Sequence, residues 1–123
     1  MLSDDFYTIQ TLQNDAGKSH ARLRLNAGHA IFQGHFPGNP VVPGVCMVQM
    51  LKELAERDLG RPLQMEKAPV IKFLAVLQPA QHPEIDAAFD IRELPEGKIQ
   101  VSGQLSGAEL TFLKFKGIFH ELS

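Results

Sequence analysis

His35 stands directly before Phe36-Pro37-Gly38-Asn39-Pro40, and the chain then runs through Val41-Val42-Pro43-Gly44 into an apolar stretch. Histidine is the side chain whose ordinary titration range suits proton transfer near neutral pH. Pro37, Pro40 and Pro43, with Gly34, Gly38 and Gly44, exclude a regular helix and most sheet pairing between Asn26 and Gly44. A segment with so many fixed dihedrals is stiff and suits a site better than a linker. The chain enters a buried helix at Pro43-Gly44, and the first-turn amides of a helix have no intrahelical partners. They carry partial positive charge and can hold a carbonyl oxygen on which negative charge develops. Gly44 lets another group approach the backbone closely. A base beside such amides suits removal of a proton α to a carbonyl. The competing assignment for His35 is a packing residue in a loop that the prolines merely shape.

The elements that must position these groups follow from periodicity. Phe6 to Leu12 reads as a strand, Asn14 to Gly17 as a turn, and Lys18 to Leu25 as a second strand. That second strand has Ala21, Leu23 and Leu25 on one face and His20, Arg22 and Arg24 on the other, so the hairpin has one wet side. Val45 to Leu59 is the one convincing helix, with Val45, Val48, Leu51, Ala55 and Leu59 in one stripe that Met47, Met50 and Leu54 widen. Its first half, Val45 to Leu51, is almost wholly apolar and is expected to be buried on most sides. Gly60 and Pro62 end it. Further strands are expected over Pro69 to Leu77, Glu84 to Arg92, Ile99 to Leu105 and Leu110 to Phe119, with turns at Pro95-Glu96-Gly97 and Ser106-Gly107. The absence of a βαβ alternation argues against a doubly wound sheet. The pattern predicts one curved antiparallel sheet of about six strands around one helix, an α+β domain over residues 1–123. Such a sheet wraps only part of the helix, and its free edges invite a second subunit.

Composition sets the outer limits. The chain has 123 residues, 44% hydrophobic and 21% charged, which is globular rather than disordered and is one domain's worth of material. Twelve Lys and Arg against 14 Asp and Glu give a net charge of −2, which argues against general nucleic-acid binding. The single cysteine, Cys46, excludes an intrachain disulfide, and the five histidines lack zinc-motif spacing. No apolar run is long enough to span a bilayer, and Met1 to Asp5 does not read as a signal peptide, so a soluble cytoplasmic protein is expected.

The string from Gly34 to Val45, GHFPGNPVVPGV, resembles the 3-hydroxyacyl-acyl carrier protein dehydratases of fatty acid synthesis, whose fold is the hotdog. Asn26 to Gln33, Ile71 to Pro79 and Thr111 to Phe119 carry the resemblance more weakly, and the helical segment usual ahead of the first strand is not seen before Phe6. The resemblance implies that His35 takes the α proton and that the Gly44 amide binds the thioester carbonyl. It implies an acid at position 49, a site shared between the two subunits of a dimer, an acidic carrier protein as partner, and no metal or organic cofactor. Phe36, Pro43, Val45 and Val48 are then expected along an apolar acyl tunnel, as are Val42, Met47 and Met50.

Position 49 departs from the pattern. Gln49 stands where the family has an acid, and Glu53 stands four residues on, where the family has glutamine. An amide does not titrate near neutral pH but can hydrogen-bond a hydroxyl or a water. Residues at i and i+4 share a helix face, so Glu53 is a candidate for the acid, directly or through a water held by Gln49. The competing assignment is a solvated residue beside Lys52 and Glu56. Cys46 is a candidate nucleophile by its place in the first helical turn, against a buried apolar role. His29 is a candidate tunnel residue, against packing. Arg22, Arg24, Lys72, Lys114 and Lys116 would favour an acidic carrier protein if they converged. Two alternatives to a dehydratase stay open: a hotdog thioesterase in which Glu53 activates water, and a non-catalytic carrier-binding or partner subunit that has lost its acid.

Overall fold

The computed structural model describes residues 2–34 and 40–122. Its strands are β1 (Tyr7–Asp15), β2 (Lys18–Leu25), β3 (Leu63–Phe73), β4 (Glu84–Glu93), β5 (Lys98–Gly107) and β6 (Leu110–Glu121). A single-turn helix α1 (Ile31–Gly34) and the long helix α2 (Gly44–Leu59) lie between β2 and β3. The six strands form one sheet in the order β1-β2-β4-β5-β6-β3, every neighbouring pair antiparallel. This sheet curved around one helix is the hotdog arrangement that the resemblance implies.

Alternation and register together build the core. In β2, Ala21, Leu23 and Leu25 are buried, and Ala21 and Leu23 stand opposite Ala87 and Ile85 of β4. Ala87 stands opposite Leu105 of β5, and Leu105 opposite Leu113 of β6, so one face of four strands is continuously apolar. Helix α2 packs on that face through Met47, Met50, Leu51, Leu54 and Ala55, each at most 3% exposed. Burying one such side chain contributes about 1.5–3 kcal/mol, so this shared face dominates the stability of the arrangement.

The helix ends are set by local chemistry. Pro43 is extended, with φ −60° and ψ 145°, and helical geometry begins at Gly44, one residue earlier than the apolar pattern suggests. At the other end Gly60 takes the left-handed conformation, φ 73°, and donates its N–H to the Glu56 carbonyl at 2.8 Å. The Glu56 side chain then accepts from Leu63 N–H at 2.8 Å, which starts β3. Asp58 ties the helix to the first hairpin by accepting from Ser19 Oγ at 2.6 Å.

Three expectations differ from the structure. Strand β3 runs Leu63–Phe73, whereas the sequence predicts Pro69 to Leu77. Its first half carries Glu66 and Lys67 and hides the alternation. Pro69 is tolerated because β3 is an edge strand with two irregularities in its pairing to β6. Beyond Phe73 the chain leaves the sheet, and Leu77 O accepts from Val42 N–H at 2.8 Å, bringing the end of β3 beside the entry to α2. The irregular segment contains α1, and Val45 is 76% exposed, not buried, because it points away from the sheet at the open end of α2.

Candidate active site

The Pro43-Gly44 junction is where backbone geometry and open surface meet. Gly44 is the first residue of α2, and a Cβ placed on it would fall 2.6 Å from Cζ of Phe73. Only glycine allows the Phe73 ring to lie against the helix start. Among the described residues no group accepts a hydrogen bond from Gly44 N–H or Val45 N–H; the Pro43 carbonyl accepts from Cys46 N–H and Met47 N–H. Toward the described residues these two helix-start amides keep their capacity to donate, in the orientation that favours negative charge. Phe73 lies against this helix start, and with Val45 and its chain neighbours Ile71, Leu74 and Val76 it is between 42% and 76% exposed, an apolar surface that one chain leaves uncovered. Pro43 and Val48 are half-buried beside it. His35 and Phe36 fall outside the described residues.

One turn further along α2 the situation reverses. Gln49 is half-buried and donates Nε2–H to Glu53 Oε2 at 2.7 Å. Glu53 is only 4% exposed, so it is not the solvated residue offered as one assignment. Its Oε2 also accepts from Leu2 N–H at 2.8 Å, and its Oε1 accepts from Ser3 N–H at 2.9 Å and from Tyr7 Oη at 3.1 Å. Each oxygen therefore holds two donors. Burial acts to raise the Glu53 carboxyl, but the bonds from Leu2, Gln49, Ser3 and Tyr7 outweigh it and hold the group below the usual carboxylate range. All four hydrogen bonds at Glu53 are ones its carboxyl accepts, the pattern that favours the ionised form. Tyr7 is pushed far above the ordinary phenol range by its burial, by the Glu53 charge and by the hydrogen bond to it, so it stays a donor.

Sequence reasoning did not find the roles of Leu2, Ser3 and Tyr7. One signal was available: Cys46, Met50 and Glu53 fall at i, i+4 and i+7, which places the acid on the buried face of α2. A buried carboxylate needs donors, and an N-terminal arm with free amides is a natural source.

The remaining candidates separate. Cys46 is buried, and that burial pushes its thiol up, which fits a packing residue and not a nucleophile. His29 Nδ1 accepts from Ile31 N–H at 3.0 Å, which leaves Nε2 as the atom that donates to Asp5 at 3.0 Å. Its ring also meets Phe6 edge-on at 5.3 Å, so it braces α1. Of the five basic strand residues, Arg22 is bound to Asp86 at 2.8 Å and Arg24 stands opposite Glu84. Lys72 stands directly opposite Lys114, with Lys116 two residues on. Lys114 and Lys116 line an open groove of about 460 Å³ with Lys18 and Asp90 on the outer side of the sheet. Three of the five converge, and two do not.

Comparison with known proteins agrees with this architecture. A family model described as ApeI-like, ApeI dehydratase, matches residues 11–107. The chain is 32% identical over 88 residues to a 3-hydroxyacyl-[acyl-carrier-protein] dehydratase FabZ from Caulobacter sp. (strain K31), covering 71% of this chain and 49% of that one. It thus spans about half the length of that curated relative. It is 30% identical over 105 residues to the protein of the same name from Latilactobacillus sakei subsp. sakei (strain 23K), covering 76% and 75%. The solved dehydratase heterocomplex ApeI:P from Xenorhabdus doucetiae contains a chain that superposes with a TM-score of 0.71 at 20% identity, over 91% of this chain and 96% of that one, a likeness of fold.

Proposed function

Since the chain belongs to the ApeI-like dehydratase family, we propose that it removes water from a 3-hydroxyacyl thioester carried on an acyl carrier protein, giving the trans-2-enoyl thioester. The observation that carries this reading is the start of α2, where Gly44 N–H and Val45 N–H have no acceptor among the described residues and an apolar surface lies open beside them. The thioester carbonyl accepts from Gly44 N–H, which stabilises the enolate oxygen as the C2–H bond breaks. His35 takes that proton. The C2–C3 double bond forms as the C3–O bond breaks, and the hydroxide leaves as water. Gln49 does not titrate and Glu53 is held as an anion, so the proton that completes the water returns from His35. Pro43, Val45 and Val48, with Phe36, line the acyl path.

The working unit in this reading is a homodimer. β3 is an unpaired edge, and Val45, Ile71, Phe73, Leu74 and Val76 form the apolar surface beside it. A second copy laid there would cover the open side of the Gly44 site. The acidic partner is the carrier protein, met by basic side chains such as Lys114 and Lys116.

A second reading, a non-catalytic carrier-binding or partner subunit, is favoured by the missing acid at position 49 and by the saturation of Glu53. The test is product analysis with a 3-hydroxyacyl carrier thioester. An enoyl thioester is expected. A free acid would identify a thioesterase, and tight binding without turnover would identify the non-catalytic subunit.

A further inference from the structure

Gln49 and Glu53 together decide which polar atom the central helix shows to a ligand. A primary amide presents either a donor or an acceptor, depending on which way it is turned. Here the choice is forced. Glu53 already accepts from Leu2 N–H, Ser3 N–H and Tyr7 Oη, and an ionised carboxylate only accepts. The Gln49 atom 2.7 Å away must therefore be the NH₂ group. Turning the amide over would press its carbonyl oxygen against the carboxylate. Gln49 Oε1 is consequently directed away from Glu53, and among the described residues nothing donates to it.

We infer that Glu53 is a positioning residue, whose clamp on Gln49 Nε2 makes Gln49 Oε1 a fixed acceptor for the 3-hydroxyl hydrogen of the substrate. This rests on the dehydratase reading and deepens it. The hydroxyl, donating its hydrogen to Oε1, keeps its lone pairs free for the proton that will carry it off as water. The two side chains thereby select a hydroxylated acyl chain over a saturated one. The N-terminal arm becomes part of the specificity device, because it supplies two of the donors that keep Glu53 charged.

The discriminating measurement is the ratio of affinities for a 3-hydroxyacyl and a saturated acyl pantetheine thioester of equal chain length. We expect the wild-type chain to prefer the hydroxylated ligand about tenfold, one good hydrogen bond in a desolvated site. In Glu53→Gln the amide at 49 is no longer forced one way, so the ratio falls toward one while affinity for the saturated ligand is kept. Gln49→Met removes the acceptor and retains the three other bonds to Glu53 and the arm, so with its folding checked by circular dichroism it also brings the ratio to one. A structural role for Glu53 alone would lower stability and leave the ratio intact. Unchanged preference in Gln49→Met, or in a folded Glu53→Gln, overturns the inference while the dehydratase reading stands. If the wild-type chain binds neither thioester, that reading fails and the inference with it.

Discussion

The two ends of the working stretch of α2 use their hydrogen-bonding groups in opposite ways. At Gly44 two amides have no acceptor among the described residues and face an apolar rim open to solvent. At Glu53 both carboxylate oxygens are filled twice, and the residue is buried. Unused polar capacity on a stiff element is what a ligand can exploit, and used capacity is what holds an element in place. The helix therefore has an open end and an anchored end less than three turns apart, and Gln49 sits between them, bonded through Nε2 to Glu53.

The largest effect should come from the open end. Gly44→Ala places a methyl group where the Phe73 ring lies, beside the amide that is to receive the thioester carbonyl, and so obstructs the carbonyl's approach; turnover of the 3-hydroxyacyl thioester is expected to fall about 100-fold or more. The folded state should survive, because Phe73 is half exposed and can shift. A variant with wild-type turnover would remove Gly44 from the oxyanion role.

Next comes the anchoring end. Tyr7→Phe deletes one donor to a buried carboxylate and should cost about 1.5–3 kcal/mol, read from denaturant unfolding. Turnover by the folded fraction should stay near wild type. If stability is unchanged and turnover collapses, the two ends are not separable as described.

A smaller effect is expected in acid. Glu53 has a folded-state carboxyl held below its unfolded value, so its contribution is fully present above the unfolded pKa and is lost as pH falls through the lower, folded one. Stability of the wild-type chain should therefore decline below about pH 4.5 more steeply than that of Glu53→Gln. Parallel acid limbs would show that Glu53 carries no such linkage. The smallest expected change is in Val45→Ser at the open rim, which should weaken self-association about tenfold, measured by sedimentation, with the monomer's unfolding midpoint unchanged.

Much of the fold was legible because it rests on period and punctuation. The alternation in Lys18–Leu25 and Glu84–Glu93, the apolar run of α2 and the Gly60 stop all appear in the structure close to where their spacing puts them. The sequence pattern starts β3 too late because Glu66 and Lys67 interrupt its first half where the pairing is irregular, and an edge strand needs no clean alternation when one side is free. Val45 was misplaced because a stripe of apolar residues says which side chains avoid water, not which chain they avoid it against.

The site divides in the same way. The order of residue types determined that a histidine and a glycine at the start of an apolar run stand on a proline-rich segment, and that position 49 is an amide, since these are facts of local sequence. That Glu53 holds the N-terminal arm was decided only in three dimensions. Its partners Leu2, Ser3 and Tyr7 lie 46 to 51 residues away, and no spacing rule reports a contact that only chain folding creates. A carboxylate's chemistry depends on how many donors reach it, and that number belongs to the tertiary structure.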